Sequence, residues 1–428
     1  MPHHASQKKS LMPKSFQKVS VVGLGYIGLP TAAVIASKGV SVLGVDVQPH
    51  VIETLNAGDI HIVEPDLAGV LRAAVQQGYF RASLQPEPAD VFLIAVPTPF
   101  KGDHEPDVSF VEAAARSIAP YLQKGSLVIL ESTSPVGTTE KMVTWLAQAR
   151  PDLSFPVPGG APADVAVAYC PERVLPGRVL HELVANDRVI GGMTSACAER
   201  AIDFYRLFVD GQCLATAART AEMAKLTENA FRDVNIAFAN ELSLICDRLD
   251  INVWELIKLA NHHPRVNVLQ PGPGVGGHCI AVDPWFIVHS APEQAQLIAT
   301  ARRVNDGKPH AVMDKIRQAL GAGGVGRSIA FLGLAFKPDI DDLRESPALE
   351  IALHMAQEHV GPVYVAEPHI NALPASLKAL GHVRLVTAQD AISAADVVVL
   401  LVNHSQFKEV DPGTLQGKAL IDTRGLWS

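Results

Sequence analysis

A cysteine at the end of a glycine-rich loop is the first feature of this sequence that could do chemistry. Proline and glycine are so dense between Gln270 and Cys279 that this stretch cannot be a helix or a central strand. Asp283 follows four positions after Cys279. Two interpretations stand side by side: an inert, small hydrophobic residue, or a nucleophilic thiol that the loop presents to a ligand.

A polar stripe on a long helix is the second such feature. Helical periodicity runs from about residue 220 to 249, and the spacing of Glu222, Lys225, Asn229 and Arg232 puts all four on one face. The stripe is either a solvated surface or a functional one.

A nucleotide-binding fingerprint opens the chain. Gly23, Gly25 and Gly28 stand between a short apolar strand and an alanine-rich helix, and a second strand ends at Asp46. The glycines permit a tight turn, close approach of a pyrophosphate, and close helix packing. A carboxylate at position 46 suits ribose hydroxyls and would repel a 2′-phosphate, so the pattern predicts NAD rather than NADP.

Apolar runs alternate with helical segments along the rest of the first half, which predicts a doubly wound parallel sheet. Ligands bind beyond the carboxyl ends of such strands. The loops at those ends carry hydroxyl, carboxylate and guanidinium groups: Pro97-Thr98-Pro99, Glu131-Ser132-Thr133-Ser134-Pro135 and Cys170-Pro171-Glu172-Arg173.

A second α/β unit is predicted beyond a linker at residues 305–309. It has a strand followed by a glycine turn at residues 328–333, and further strands at 363–366 and 395–402. Between them, Phe336–Pro347 is a dense charged loop. Lys337 and Arg344 there are either solvated or a phosphate clamp.

The composition limits the class of protein. The chain has 428 residues, 48% of them hydrophobic, and a net charge of −8, which argues against disorder and against coating nucleic acid or an anionic membrane. Five scattered cysteines without a Cys-x-x-Cys pair indicate a reducing cytoplasm, and no metal-binding set is predicted. The uncharged stretch 19–37 is interrupted by glycines and Pro30, so a membrane span is not expected.

Taken in order, these motifs resemble the UDP-sugar 6-dehydrogenases, from about residue 17 to the end. The resemblance implies two Rossmann-like doubly wound α/β domains joined by a long central helix and a helical middle domain. The expected boundaries are a flexible tail at 1–16, an NAD-binding domain at 17–215, a central dimerisation and catalytic domain at 216–308, and a UDP-sugar-binding domain at 309–428.

The resemblance also implies a four-electron oxidation of a sugar C6 alcohol to a carboxylate with NAD, through a thioester on Cys279. The implied catalytic residues are Cys279, Lys225, Asn229, Asp283, Glu172 and Thr133. The implied cofactor-binding residues are Gly23, Gly25, Tyr26, Ile27, Gly28, Asp46, Thr98, Thr133 and Arg344. The implied substrate-binding residues are Arg173, Val174, Lys225, Asn229, Arg232, His263, Arg265, Gly276 and Lys337. A homodimer is expected, with Arg265 contributed across its interface.

The resemblance is strongest to the family branch that oxidises UDP-N-acetyl-D-mannosamine for bacterial surface polysaccharides. In glucose-type members of the family, a lysine immediately precedes the aspartate that follows the catalytic cysteine. This chain has Val282 at that position, directly before Asp283, so a 2-acetamido sugar is expected. UDP-N-acetylglucosamine remains an alternative substrate. A two-electron hydroxyacid dehydrogenase and a non-enzymatic NAD-binding protein remain alternative functions, although neither needs a thiol in a glycine loop.

Overall fold

The chain forms two compact units, one up to residue 226 and one from residue 227 onward. The structure, a computed structural model, describes residues 16–102, 104–175, 177–321 and 326–427. The predicted tail 1–16 lies outside the described residues except for Phe16. That residue is buried, and its ring packs edge-on against Phe204 with 5.6 Å between centroids.

The first unit is built on an eight-stranded sheet in the order β10-β9-β8-β7-β4-β1-β2-β3, beside a two-stranded ribbon of β5 and β6. Its strands are β1 Lys18–Val22, β2 Ser41–Val45, β3 Phe80–Ser83, β4 Val91–Ile94, β5 Phe100–Lys101, β6 Glu105–Pro106, β7 Leu127–Leu130, β8 Ala166–Tyr169, β9 Arg188–Gly192 and β10 Cys213–Ala217. Its helices are α1 Gly28–Ser37, α2 Pro49–Asn56, α3 Leu67–Gln76, α4 Ser109–Ile118, α5 Thr138–Ala149, α6 Val179–Ala185 and α7 Ser195–Tyr205, with a 3-10 turn at Ala119–Tyr121.

The central strands of this sheet are covered on both faces. Every residue of β4 and β7 is fully buried, as expected for parallel strands between two helical layers. Successive side chains alternate between two cores: Leu93 and Ile129 belong to one, Phe92 and Val128 to the other. The doubly wound prediction is confirmed, with one difference: β9 runs antiparallel to β8, so β9 and β10 reverse the direction of the sheet at this edge.

The predicted long helix is confirmed as α8, Ala218–Leu249, which continues from the first unit into the second. The second unit has a five-stranded, all-parallel sheet in the order β13-β12-β11-β14-β15. Its strands are β11 Ile329–Leu332, β12 Val363–Ala366, β13 Val383–Leu385, β14 Val397–Leu400 and β15 Ala419–Asp422. Its helices are α9 Val253–Ala260, α10 Asp283–Ser290, α11 Gln296–Leu320, α12 Pro347–Glu358, α13 Ala375–Lys378 and α14 Ala388–Ala394, with 3-10 turns at Ser405–Glu409 and Pro412–Leu415.

The predicted linker at residues 305–309 is wrong, because these residues lie inside helix α11. Glycine and proline in a helix interior cost roughly 1 and 3 kcal/mol relative to alanine. Tertiary contacts offset this: the buried Asn305 amide donates to Asp233 Oδ1 at 2.7 Å, and its carbonyl accepts from Asn240 at 2.9 Å. Pro309 is itself buried in the helix.

Across the described residues, every helix is too short or too polar to cross a bilayer.

Candidate active site

The glycine fingerprint lies between β1 and the start of α1. Gly23 has φ 91°, and a Cβ there would lie 2.5 Å from the Ala95 carbonyl oxygen. A Cβ on Gly28 would lie 1.8 Å from the Gly23 oxygen. Both positions therefore require glycine. A Cβ on Gly25 would meet nothing within 4 Å, so the space beside this exposed residue is open to a ligand that approaches the backbone.

Asp46 lies directly after β2, beside this turn. One carboxylate oxygen accepts from the Leu24 backbone N–H at 3.0 Å and the other from that of Gln48 at 3.1 Å. The acidic residue and the glycine turn are thus held together before any ligand binds. Tyr26 is exposed and Ile27 is half-buried, both at the N-terminus of α1.

The loops that follow β4 and β7 are joined at the carboxyl edge of the sheet. Thr98 Oγ1 donates to the Thr133 carbonyl at 2.6 Å, and Ser132 Oγ donates to the Val96 carbonyl at 2.7 Å. The structure therefore brings together Thr98 and Thr133, which sequence reasoning had placed at strand ends 35 residues apart.

Glu172 is buried in an ion pair. Arg188 Nη1 donates to one carboxylate oxygen at 2.6 Å, and the Arg173 backbone N–H donates to the other at 2.6 Å. Both partners of the pair are almost fully buried. The guanidinium and the backbone therefore fix the orientation of the carboxylate. The Arg173 side chain donates to the Asp187 carbonyl at 3.3 Å, and Val174 beside it is half-buried.

Sequence reasoning missed the rest of this buried cluster. The Tyr205 hydroxyl donates to Glu131 at 2.6 Å. Burial, reinforced by the nearby charge of Glu172, raises the pKa of Glu131 to about 7. Burial also raises the pKa of the Cys170 thiol to about 12, which makes that cysteine inert. The place of Glu131 at the end of a strand could have indicated a functional position, whereas nothing in the sequence links Glu131 to Tyr205.

The residues of the polar stripe on α8 differ in their burial and contacts. Glu222 is buried and accepts from the backbone N–H groups of Gly137 at 2.6 Å and Thr139 at 2.8 Å, at the start of α5. Burial raises the pKa of Glu222, although these hydrogen bonds oppose that rise. This residue stabilises the α5 N-terminus. Lys225 is half-buried and Arg232 is exposed.

In the second unit, α8 meets the glycine loop. Asn229 Nδ2 donates to Asp283 Oδ2 at 2.5 Å, and both residues are buried. The Asp283 backbone N–H donates to the Cys279 carbonyl at 2.8 Å, and Asp283 opens helix α10. Cys279 itself is exposed. An amide, a carboxylate and a thiol-bearing turn are therefore linked in one network.

The glycine loop packs against the charged loop that follows β11. A Cβ on Gly276 would lie 2.3 Å from the Glu345 carbonyl oxygen, and one on Gly277 would lie 3.0 Å from the Phe336 ring. Gly277 also has φ 84°. Only glycine allows this approach, which positions the turn that carries Cys279.

Two cations of the charged loop lie near these glycines. Lys337 Nζ lies 5.9 Å from the Phe336 ring centroid, and Arg344 donates to Asp342 at 2.8 and 2.7 Å. Burial, and secondly the charge of Arg344, lower the pKa of His278. His278 therefore stays neutral near pH 7, and Arg344 lies within electrostatic reach of it.

The remaining predicted substrate residues lie at the surface of the second unit. His263 and Arg265 are exposed, and the Arg265 backbone N–H donates to His263 Nδ1 at 3.3 Å. Thr133 and Glu172 belong to the first unit, whereas Asn229, Cys279 and Asp283 belong to the second. Their roles as one catalytic set stay a prediction.

Comparison with known proteins places three family profiles along the chain. The NAD-binding domain of the UDP-glucose/GDP-mannose dehydrogenase family matches residues 17–209, its central domain 219–307, and its UDP-binding domain 330–428. The NDP-N-acetyl-D-galactosaminuronic acid dehydrogenase of Ralstonia nicotianae is 63% identical over 418 residues, covering 96% of this chain and 97% of the relative.

Two further relatives agree. The UDP-N-acetyl-D-mannosamine dehydrogenase of Yersinia pestis is 62% identical over 420 residues, covering 96% of this chain and all of the relative. The structure described as UDP-D-ManNAc dehydrogenase from Pyrococcus horikoshii is 39% identical, with a TM-score of 0.84 and 96% of each chain covered. The chain is therefore a member of the UDP-glucose/GDP-mannose dehydrogenase family, an NAD-dependent UDP-sugar dehydrogenase.

Proposed function

We propose that this enzyme oxidises UDP-N-acetyl-D-mannosamine at C6 to UDP-N-acetyl-D-mannosaminuronate, with a covalent intermediate on Cys279. The observation that carries the proposal is the network of Asn229, Asp283 and the Cys279 turn. This network supports a mechanism in which the Cys279 thiol, the Asp283 carboxylate and the Asn229 amide act on the same carbon atom.

The nucleotide site in the first unit fits NAD. The turn at Gly23 and Gly28 is too tight for side chains, while Gly25 leaves open space at the N-terminus of α1, where the helix dipole favours a pyrophosphate. Asp46 stands beside it for the ribose hydroxyls. Tyr26, Ile27, Thr98, Thr133 and Arg344 complete the proposed cofactor set. When bound, NAD accepts the hydride in each of the two oxidation steps.

The chain's own groups handle the carbonyl chemistry. After C6 has become an aldehyde, the Cys279 sulfur bonds to it and forms a thiohemiacetal. Lys225 and Asn229, one helical turn apart on α8, stabilise the oxygen that carries negative charge. Loss of a second hydride converts the adduct into a thioester, and the hydroxyl proton leaves to a nearby base.

Hydrolysis of the thioester needs a positioned water. Asp283 and Thr133 are proposed to orient that water, with Glu172 assisting, so that its oxygen bonds to C6 while the carbon–sulfur bond breaks and Cys279 is regenerated. The net change consumes one alcohol, two NAD⁺ and one water, and yields one carboxylate, two NADH and three protons.

Substrate binding is assigned to cations and to the glycine loop. A UDP-sugar carries a diphosphate, which guanidinium and ammonium groups neutralise. The proposed set, in a chain whose net charge is −8, is Arg173, Val174, Lys225, Asn229, Arg232, His263, Arg265, Gly276 and Lys337.

The assignment of an acetamido sugar as substrate is based on Val282 and on the named relatives of this chain. Named UDP-N-acetyl-D-mannosamine dehydrogenases are 60–62% identical over nearly the whole chain. A second candidate is the galactosamine-type sugar, because the Ralstonia relative named for it is 63% identical. The two candidate sugars differ in configuration at C2 and C4.

The test is to supply NAD⁺ with each UDP-sugar separately and to measure NADH formed per sugar consumed. The sugars are the N-acetylated mannosamine, galactosamine and glucosamine forms, with UDP-glucose as control. The proposal expects turnover of the mannosamine form with a ratio near two. A ratio of one would overturn the thioester route, and exclusive turnover of another sugar would overturn the substrate assignment.

We also propose a cytoplasmic homodimer that serves bacterial surface polysaccharide synthesis. An apolar seam on α8 supports the dimer: Phe231, Phe238 and Ile245 recur every seven residues and are 67%, 55% and 44% exposed. Such large exposed side chains on one helix face suit a second copy of the chain. Arg265 is proposed to reach the substrate of the partner subunit.

A further inference from the structure

Three side chains that follow neighbouring strands of the second sheet converge at its carboxyl edge. Asp339 follows β11, His369 follows β12 and His404 follows β14, and these strands are adjacent and parallel. One donor atom from each residue lies within 4.8 Å of the other two. The topology thus assembles a cluster from residues far apart in the sequence.

The distances within the cluster are close to those of a coordination shell. Asp339 Oδ1 lies 3.8 Å from His369 Nε2 and 3.8 Å from His404 Nδ1. A tetrahedral zinc ion with bonds of about 2.0 Å holds its ligand atoms about 3.3 Å apart. The two distances to Asp339 exceed this value by about 0.5 Å, and all three ligand atoms lie within 4.8 Å of one another, so a modest contraction would bring them to coordination distance.

His404 is oriented as metal-binding histidines are. It is fully buried, and its Nδ1 accepts the Asp339 backbone N–H at 2.9 Å. Its other nitrogen, Nε2, therefore carries the proton and lies 3.1 Å from the buried Glu367 carboxylate. A carboxylate behind the imidazole fixes the tautomer, so that Nδ1, on the side of Asp339, carries the lone pair.

Of the other two ligand residues, Asp339 is held by hydrogen bonds and His369 has a buried nitrogen that lacks one. The Asp339 carboxylate accepts from Ser405 N at 2.8 Å and from Ser405 Oγ at 2.6 Å. His369 Nε2 is buried and has no hydrogen-bond partner within the part of the chain that the structure describes. A buried nitrogen without a partner is costly, and a bound cation would satisfy it.

We propose that Asp339, His369 and His404 bind a divalent transition-metal ion, with Zn²⁺ as the best match to two imidazoles and one carboxylate. The ion would take the His404 lone pair that now accepts the Asp339 N–H, so coordination replaces that hydrogen bond. Asp339 lies two residues after Lys337, so metal binding would tie the charged loop to the sheet edge. No step of the proposed reaction passes through this site.

The test uses the full chain, stripped with a chelator and titrated with Zn²⁺ in equilibrium dialysis. Asp339→Asn and His369→Asn alter partly exposed side chains, and a thermal melt of each variant verifies folding. We expect each to raise the Kd for Zn²⁺ by about tenfold or more. His354→Asn, an exposed histidine on α12, should leave the Kd within about twofold.

Because Cys279 is exposed and a thiol also binds zinc, Cys279→Ser is titrated in parallel. Retained binding in Cys279→Ser, and a Co²⁺ complex without a thiolate charge-transfer band, support the site. Absence of tight binding in the unmodified chain, loss of binding in Cys279→Ser, or equal affinity in His369→Asn would each overturn the proposal.

Discussion

At the scale of single residues, two buried carboxylates lie within electrostatic reach of the Arg188 guanidinium. Glu172 forms the direct ion pair, while Glu131 is held by the Tyr205 hydroxyl. One cation cannot fully neutralise both acids in a site buried from solvent. The proton therefore stays on Glu131 to a higher pH than on an ordinary carboxyl group.

This arrangement makes stability depend on pH. Between the ordinary pKa of 4.5 and about 7, the unfolded chain has released the Glu131 proton while the folded chain keeps it. Stability is therefore lost as pH rises through this window, by about 3 kcal/mol in total. Glu131→Gln removes the titration, so we expect urea unfolding to show a stability gain over the unmodified chain near pH 8 and none near pH 4.

The control for this experiment is Glu199→Gln, which changes an exposed acid on α7, the helix that carries Tyr205. This substitution should change the free energy of unfolding by nearly the same amount at pH 4 and at pH 8. A Glu131→Gln effect of equal size at both pH values would contradict the assigned titration.

The exposed thiol supports a second prediction at this scale. Cys279→Ala removes the sulfur that forms the covalent intermediate, so acid formation should fall by at least about a thousandfold. The substitution leaves the groups around the glycine turn of α1 intact, so the Kd for NAD⁺ should stay within about twofold. NAD⁺ binding is followed by fluorescence or calorimetry. Cys213→Ala, at a half-buried strand position, should retain activity; lost NAD⁺ binding in Cys279→Ala would indicate a structural cysteine.

At the scale of elements, a buried ion pair joins α8 to α11. Arg302 donates to Asp233 at 2.6 Å, and the two side chains are 1% and 0% exposed. Asn305 donates to the same carboxylate. Burial raises the pKa of Asp233, which Arg302 and Asn305 oppose. This polar contact lies one turn beyond Asn229, so it helps to set the register of the helix that carries the candidate site.

Removing one partner of that pair should destabilise the second unit. Arg302→Met leaves a buried carboxylate without its cation, and we expect a loss of about 3–5 kcal/mol in urea unfolding followed by circular dichroism. The double variant Asp233→Asn/Arg302→Met should recover part of this loss. Arg317→Met breaks only exposed pairs, with Glu358 and Asp314, and should cost less than about 1 kcal/mol. Additive effects in the double variant would show that the pair is not coupled.

At the scale of the whole molecule, the apolar seam of α8 determines the expected assembly. Phe238 lies in the middle of the seam and is 55% exposed. A charge there cannot be buried against a second copy without a large desolvation cost. Phe238→Glu should therefore convert the proposed dimer into monomers, as measured by light scattering after size-exclusion chromatography.

The matched control is Phe110→Glu, which changes a phenylalanine of similar exposure, 48%, on α4 of the first unit. It should remain a dimer. If Phe238→Glu also remains a dimer, the seam is not the interface. If its monomers lose activity, that would support the proposed contribution of Arg265 across the interface.

The sequence alone determined the features that depend on local patterns. The strand at Val91–Ile94, the fingerprint at Gly23 and the long helix were predictable because burial on both faces, a positive φ and a 3.6-residue period each leave a signature in consecutive residues. The family followed from the order of such motifs.

Only the tertiary structure decided what depends on residues that are distant in the sequence. Asn305–Pro309 reads locally as a linker, yet contacts with Asp233 and Asn240 hold it in a helix. Likewise, Glu222 reads as part of a surface stripe but binds the start of α5. The cluster of Asp339, His369 and His404 has no sequence signature, because parallel strands bring their carboxyl ends together whatever the separation along the chain.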